Sequence, residues 1–481
     1  MISSPLLKQF AGYINGRWAP ADSGKTTAVF NRATGEKLAD VPEMGEAEAV
    51  RAVEASAAAM RDTPSLDQRR QWLTQIAERL LAQKKELGRI LTQEHGKPLK
   101  EGIGEVEYAA GFFRFAANHI DVLQPYPLKE KVRGCQWTVH HRPAGVAGLI
   151  TPWNFPMALL AKKLSAALAT GCASVTKPAG LTPLTSIAFW SLIEDIGLPP
   201  GMANLVIGKS GPIGKVLCSH PDVRLISFTG STEVGQLLMQ QVAPHVKRLA
   251  LELGGNAPFI VFEDADLPAA ADALIASKFR AGGQTCVCAN RVYVHRGVLD
   301  KFVPLVVERT QKLKVGNGLA PETDIGPLIN RDAFDKVASH VRDALAKGAK
   351  RLAGDDPPRP AQDWAAFYPP TVLVGMKPDM LVCREETFGP VVAITTFEDE
   401  AELVRAANST PFGLAAYVCT RDPQRAERVI PRLQFGHIGL NTGTGPAPEA
   451  PFGGMKMSGF GREGGQEGLL EFCELQTVAA A

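Results

Sequence analysis

A thiol that follows two glycines, in a polar stretch between two apolar runs, is the feature most able to do chemistry: Arg280-Ala-Gly-Gly-Gln-Thr-Cys286-Val-Cys288-Ala-Asn-Arg291. Glycines ahead of a side chain let backbone approach a ligand, and a loop leaves N–H groups free to face developing negative charge. Taken alone, burial as a structural cysteine is the commoner fate of a free thiol. Other polar loops shift that balance, because they hold what thiol attack on a carbonyl needs: a carboxylate at Glu252 and a carboxamide at Asn154. A small polar turn, Phe228-Thr-Gly230-Ser231-Thr-Glu-Val-Gly, opens a helical pattern without matching G-x-G-x-x-G. It can seat a phosphate on free N–H groups at a helix start, and capping by Ser231 or Thr232 accounts for it equally well. Lys177, before Pro178, suits a ribose or phosphate oxygen, or simply solvent.

The elements that must position these residues alternate strand and helix. From 144 to 262 the apolar runs Val146–Ile150, Ala173–Thr176, Ala203–Ile207, Leu225–Phe228, Leu249–Leu251 and Phe259–Phe262 alternate with helical patterns, as in a parallel sheet wound with helices. Ligands bind such sheets at the carboxyl ends of the strands, where Thr151-Pro-Trp153-Asn154, Lys177 and Glu252 fall. A second alternation runs from 268 to 441, with a boundary near Gly254-Gly255. Asn15-Gly16 marks an early hairpin, and three helical patterns follow it. The clearest is capped at Ser65 and buries Leu66, Leu73, Ile76, Leu80 and Leu87. Residues 132–142 and Leu469 to Val478 read as marginal strands, which partner subunits often cover; a solvent-exposed hairpin is the alternative. His140 and His141 are adjacent in one of them, hence on opposite faces, which argues against a metal site.

Composition excludes several classes. With 481 residues, 45% of them hydrophobic, the chain can bury two or three cores. Fifty-two basic against 50 acidic residues give no sign of nucleic acid or a membrane surface as partner. The first residues lack a charged segment followed by an apolar core, no stretch is long enough to span a membrane, and eight scattered cysteines form no disulfide or zinc pattern. A cytoplasmic enzyme with reduced thiols is expected.

Read together, Pro152-Trp-Asn-Phe-Pro, Phe228-Thr-Gly-Ser-Thr, Leu251-Glu-Leu-Gly-Gly-Asn, Gly283-Gln-Thr-Cys, Glu385-Glu-Thr-Phe-Gly-Pro and Pro451-Phe-Gly-Gly-Met-Lys-Met-Ser-Gly resemble the motif series of the NAD(P)-dependent aldehyde dehydrogenase superfamily. The match spans the chain in order and spacing, and it is most similar to the succinate-semialdehyde dehydrogenase branch. The resemblance implies an α/β fold of two doubly wound parallel-sheet domains plus a small β oligomerisation element. Residues 1–120 and 142–253 would form the cofactor-binding domain, 254–464 the catalytic domain, and 121–141 with 465–481 the oligomerisation strands of a homodimer or homotetramer. Cys286 would attack the aldehyde as thiolate, Asn154 and the Cys286 N–H would hold the oxyanion, and Glu252 would activate water against the thioester. That glutamate favours an acid product over acyl transfer to coenzyme A. Cofactor contacts are implied at Thr151, Trp153, Lys177, Gly180, Gly230, Ser231, Leu253, Glu386 and Phe388, with Glu385 a solvated companion.

Three departures matter. Where NAD-preferring members carry a glutamate three residues after the lysine, this chain has Gly180, so NADP should be usable. Of the arginines that clamp a substrate carboxylate, Arg280 is kept, the second position is Lys162, and the serine region reads Gly445-Pro-Ala-Pro448. An ω-oxo carboxylate such as succinate semialdehyde is still expected, with Phe452 lining its pocket; glutarate or α-ketoglutarate semialdehyde or a bulkier aldehyde is the alternative. Cys288, two residues past the nucleophile, is a redox candidate for a reversible disulfide with Cys286, against a plain pocket-lining role. A non-catalytic binding protein on the same fold is disfavoured by the complete set Asn154, Glu252 and Cys286.

Overall fold

Asn15 and Gly16 take φ of 52° and 78°, the left-handed pair that a two-residue hairpin needs, and Gly12–Ile14 pairs antiparallel with Arg17–Ala19 across them. In the computed structural model, which describes residues 1–481, this hairpin forms one edge of an eight-stranded sheet. The sheet continues through Ala203–Leu205, Ser174–Lys177, Val146–Ile150, Val223–Thr229 and Arg248–Glu252, which run parallel, to Gly459–Phe460. Helices Ala158–Thr170 and Pro183–Ile193 are almost wholly buried, in keeping with their mostly apolar patterns.

Four helices, rather than three, follow this hairpin: Glu46–Ala59, Leu66–Ala82, Lys84–His95 and Leu99–His119. Ser65 caps the second through a capping box with Gln68. Gln83 leaves helical geometry at φ −107°, so Leu87 reaches the core from the next helix.

A seven-stranded sheet follows, in the order Lys350–Ala353, Thr371–Val374, Val391–Phe397, Ala289–His295, Ala257–Val261, Ala415–Cys419 and His437–Leu440. The strand around Phe259, which the sequence pattern attaches to the first alternation, belongs here: it runs parallel between Ala289–His295 and Ala415–Cys419, with Phe259 and Val261 in the second core. Strands Lys350–Ala353 and Thr371–Val374 escape the sequence reading because they are four residues long and flank an irregular 17-residue segment.

The chain end returns to the first sheet. Gly459–Phe460 pairs antiparallel with Leu251 and Glu252, so residues inside 254–464 return to the first sheet. Gly459 has φ 113°, and a Cβ there would lie 1.9 Å from the Leu251 carbonyl oxygen, so only glycine permits this return. Leu469 lies in the short helix Gly465–Leu470 instead of starting a strand, and it is buried with Phe472 in the first core. The last strand, Cys473–Ala480, pairs along its whole length with Gln136–Pro143, which also carries Tyr126–Pro127. Leu475 and Val478 on it are exposed. No helix is long and apolar enough to cross a membrane.

Candidate active site

The carboxyl ends of the first sheet converge on one place. Parallel register sets Thr229 beside Glu252, and Ile150 beside Lys177, so Thr151, Lys177 and Glu252 lie along one sheet edge. The segment 152–157 then crosses this edge and carries Asn154.

Cys286 comes from the other side, in a turn between helix Leu267–Phe279 and strand Ala289–His295. Ala281, Gly282 and Gly283 all have positive φ (50°, 65°, 77°), which turns the chain sharply before the thiol. Two close approaches fix this turn. A Cβ on Gly283 would lie 2.3 Å from the Gly389 carbonyl oxygen, and one on Gly255 would lie 2.5 Å from the Cys286 carbonyl oxygen. The half-buried Cys286 faces two cavities, and its backbone N–H donates to no protein acceptor.

The first cavity is lined by Asn154, Glu252, Cys286, Lys162, Arg280 and Phe452, together with Tyr108, Thr229 and Glu463. Asn154 is buried; its Nδ2 donates to the Gln284 carbonyl at 3.0 Å and its Oδ1 accepts from Phe155 N at 3.1 Å. One amide hydrogen therefore remains for a ligand. Neither carboxylate oxygen of the buried Glu252 has a hydrogen-bond partner. Burial, then the nearby Glu463 carboxylate, push its pKa well above the usual range, against the pull of Lys162, Lys163 and Arg462. Burial, with Glu386 and Glu252 adding to it against Lys162, pushes the Cys286 thiol up to about 12. Burial thus disfavours the charged form of both groups in the site without ligands.

Two cations face this cavity. Lys162 is buried, with Nζ 4.5 Å from the Phe452 ring centre and 3.9 Å from Glu463 Oε2. Burial opposes its charge, yet the acidic groups of Tyr108, Glu463, Glu252 and Cys286 outweigh it and raise its pKa. Arg280 stacks 4.6 Å over the Phe155 ring and makes no ion pair or hydrogen bond within the chain. It also lines an adjoining cavity with Glu101, Tyr108, Thr444 and Pro446, so the first cavity opens outward past Arg280.

On its other side Cys286 borders a cavity of about 310 Å³ lined by Trp153, Gly230, Ser231, Leu253, Glu386 and Phe388. Glu386 Oε1 accepts from Gly255 N at 3.1 Å, and burial pushes its carboxyl up to about 7 against that bond. Phe388, at φ 54°, meets Trp153 edge to face at 5.6 Å. Ser231 Oγ accepts from Val234 N, so the serine caps helix Thr232–Val242 while its helix start faces this cavity. Thr151, Lys177 and Gly180 lie beyond it. Lys177 Nζ donates to Ser210 Oγ at 2.7 Å, and burial lowers it to about 8; Gly180 is exposed, and a Cβ there would meet nothing within 4 Å. A cavity lined by a carboxylate and a helix start, with Lys177 at the end of a neighbouring strand of the same sheet, fits a dinucleotide.

Cys288 lies outside both cavities. Its buried thiol donates to the Gly283 carbonyl at 3.4 Å and accepts from the fully buried Lys278 at 3.5 Å. Both thiols are free, and a disulfide with Cys286 requires Cys288 to leave these bonds. Glu385 is exposed, 3.4 Å from His340. Sequence reasoning missed Glu463, Lys163 and the pair Lys97–Glu105. Lys163 Nζ donates to Glu463 Oε1 and to Ser227, and its only signal in sequence is a second lysine in an otherwise apolar helix.

Known proteins bear on this geometry. Residues 18–478 match the aldehyde dehydrogenase family, and the chain belongs to it. It is an oxidoreductase that acts on an aldehyde with NAD or NADP. It is 45% identical over 478 residues to the mitochondrial succinate-semialdehyde dehydrogenase of Arabidopsis thaliana, covering 99% of this chain and 90% of that one. Glutarate-semialdehyde dehydrogenase of Pseudomonas aeruginosa is 43% identical over 466 residues, 96% of each. The crystal structure of an oxidoreductase from Marinobacter aquaeolei, 57% identical, superposes over 100% of both chains with a TM-score of 0.98.

Proposed function

We propose that the enzyme oxidises an ω-oxo carboxylate, such as succinate semialdehyde, to the dicarboxylic acid. The observation that carries this reading is the placement of Cys286 on a wall common to two cavities, one holding Lys162 and the unpaired Arg280, the other Glu386 and Phe388. The substrate carboxylate sits toward Arg280, whose planar fork suits it, with Lys162 as a nearer point charge. Cys286 gives up its proton to solvent and its Sγ adds as thiolate to the aldehyde carbon, while the oxygen takes its charge between Asn154 Nδ2 and the Cys286 N–H. Bound NAD(P) supplies the hydride acceptor. Glu252 then takes a proton from the water that cleaves the thioester, returning the thiol. Trp153, Gly230, Ser231, Leu253, Glu386 and Phe388 hold the nicotinamide half and pyrophosphate, and Thr151, Lys177 and the open ground at Gly180 hold the adenosine ribose with or without a 2′-phosphate.

Residues 1–120 and 142–253 serve as the cofactor-binding unit and 254–464 as the catalytic one, with Gly459–Phe460 tying the second to the first sheet. Exposed Leu475 and Val478 on the terminal strand support assembly into a homodimer or homotetramer through the three-stranded sheet. Eight free cysteines suit the cytoplasm.

Steady-state kinetics on unbranched semialdehydes of graded length, with neutral aldehydes of matching length, test the substrate reading. An anionic tail should raise kcat/KM by about tenfold or more, since hydrogen bonds to a charged group are worth about 1.5–3 kcal/mol. Equal kcat/KM for butanal and succinate semialdehyde overturns it.

A further inference from the structure

Behind Asn154 lies a buried ion pair that none of the catalytic steps uses. Lys97 stands in the loop between helices Lys84–His95 and Leu99–His119, and Glu105 lies two turns into the second of these. Both side chains are sealed from solvent, at 0% and 1% exposed, with Nζ to Oε2 at 2.7 Å. Lys97 Nζ also donates to the backbone carbonyl of Asn154 at 2.6 Å and lies 3.9 Å over the Phe155 ring. Glu105 Oε1 accepts from Met157 N at 2.9 Å and Ala158 N at 3.2 Å, satisfying the free donors at the start of helix Ala158–Thr170.

We propose that Lys97 and Glu105 are positioning residues that hold Asn154 as an oxyanion donor. The pair grips the segment 154–158 at both ends: the ammonium fixes the Asn154 carbonyl, and the carboxylate fixes the two amides three and four residues on. With its backbone pinned and its Nδ2 tied to the Gln284 carbonyl at 3.0 Å, the Asn154 amide has little freedom beyond the direction of its remaining hydrogen. The lysine loop is itself wedged in place. Cβ atoms on Gly326 and Gly318 would lie 1.9 Å from the Gly96 carbonyl oxygen and 2.3 Å from that of Lys97, so the clamp is held by segments of the chain that also precede the second sheet's outer strands. An ordinary stabilising pair would not need to converge on the backbone of one catalytic amide. Burying two charges is costly, and such pairs persist where they fix a specific arrangement.

The inference rests on Asn154 being the oxyanion donor, and the test separates the two claims. Lys97→Met, Glu105→Gln and Asn154→Ala are made singly, and the first two also in the Asn154→Ala background. Measured are kcat and KM for succinate semialdehyde, hydrolysis of p-nitrophenyl acetate, and the rate at which iodoacetamide alkylates Cys286. Lys97→Met should lower kcat and ester hydrolysis about 10- to 100-fold, within the loss expected for one oxyanion donor. KM should move less than about threefold, and alkylation, which forms no oxyanion, should be unchanged. In the Asn154→Ala background Lys97→Met should change kcat less than about twofold, the non-additivity of residues acting as a unit. Glu105→Gln keeps the volume and an acceptor and should show a smaller loss with the same non-additivity, which decides the matter if Lys97→Met does not fold. Equal losses in both backgrounds, or slowed alkylation, overturn the positioning role. Full kcat in Asn154→Ala itself would instead overturn the oxyanion reading.

Discussion

Glu252 and Glu463, both buried, share the wall of one cavity, and the carboxylate of Glu463 helps to keep the proton on Glu252. A carboxyl whose pKa is raised is neutral below it and becomes a base only as pH rises through it. The rate of thioester hydrolysis should therefore climb with pH over a range above the ordinary carboxylate value near 4.3. Glu463→Gln removes a negative neighbour, so the rising limb of the deacylation profile should move to lower pH. Single-turnover profiles of the two proteins check this; a limb that stays put or moves upward refutes it.

Glu252→Gln should form the thioester and then stall. A burst of reduced cofactor of about one equivalent, followed by turnover slowed by about 10²- to 10⁴-fold, is expected for loss of a general base. Intact-mass analysis should find the acyl adduct on Cys286. Cys286→Ser should show neither burst nor adduct.

With its thiol pushed up to about 12, Cys286 in the enzyme without ligands carries little thiolate at neutral pH. Only the thiolate reacts, so alkylation by iodoacetamide should speed up about tenfold per pH unit across the stable range. A plateau below pH 9 would contradict this.

Gly180→Glu tests cofactor choice. The site is open and exposed, so the side chain fits without displacing the fold. A carboxylate there should cut kcat/KM for NADP about tenfold or more through repulsion of a 2′-phosphate, with less effect on NAD. An unchanged ratio would place the adenosine ribose elsewhere.

Arg280→Ala should raise KM for succinate semialdehyde by about tenfold or more while sparing a neutral aldehyde of similar length. Lys162→Met should do the same more weakly, because Lys162 is partly compensated by Glu463 at 3.9 Å. Equal effects on charged and neutral substrates would assign both residues to shape alone.

Much of the site was legible because chemistry concentrates in short loops with glycines. Asn154, Glu252 and Cys286 each follow or precede an apolar strand or helix, and those elements appear in the folded chain within a few residues of where the pattern puts them. What escaped depends on partners distant in sequence. Glu463 and Lys163 are 300 residues apart, and Lys97 reaches Asn154 across 57, so neither link leaves a periodic trace. The strand around Phe259 reads the same in either sheet, since a fully buried parallel strand has no polar face to tell its neighbours apart. Gly459 marks its close approach only once the Leu251 carbonyl is in place.

The contact between Gly255 and the Cys286 carbonyl oxygen leaves the reactive turn no room to retreat. Two cavities meet at this sulfur, one on the Arg280 side and one on the Glu386 side, so on the proposed reading aldehyde and dinucleotide would come to it by separate doors. The finished acid would then have an exit of its own and need not wait for the spent carrier to vacate.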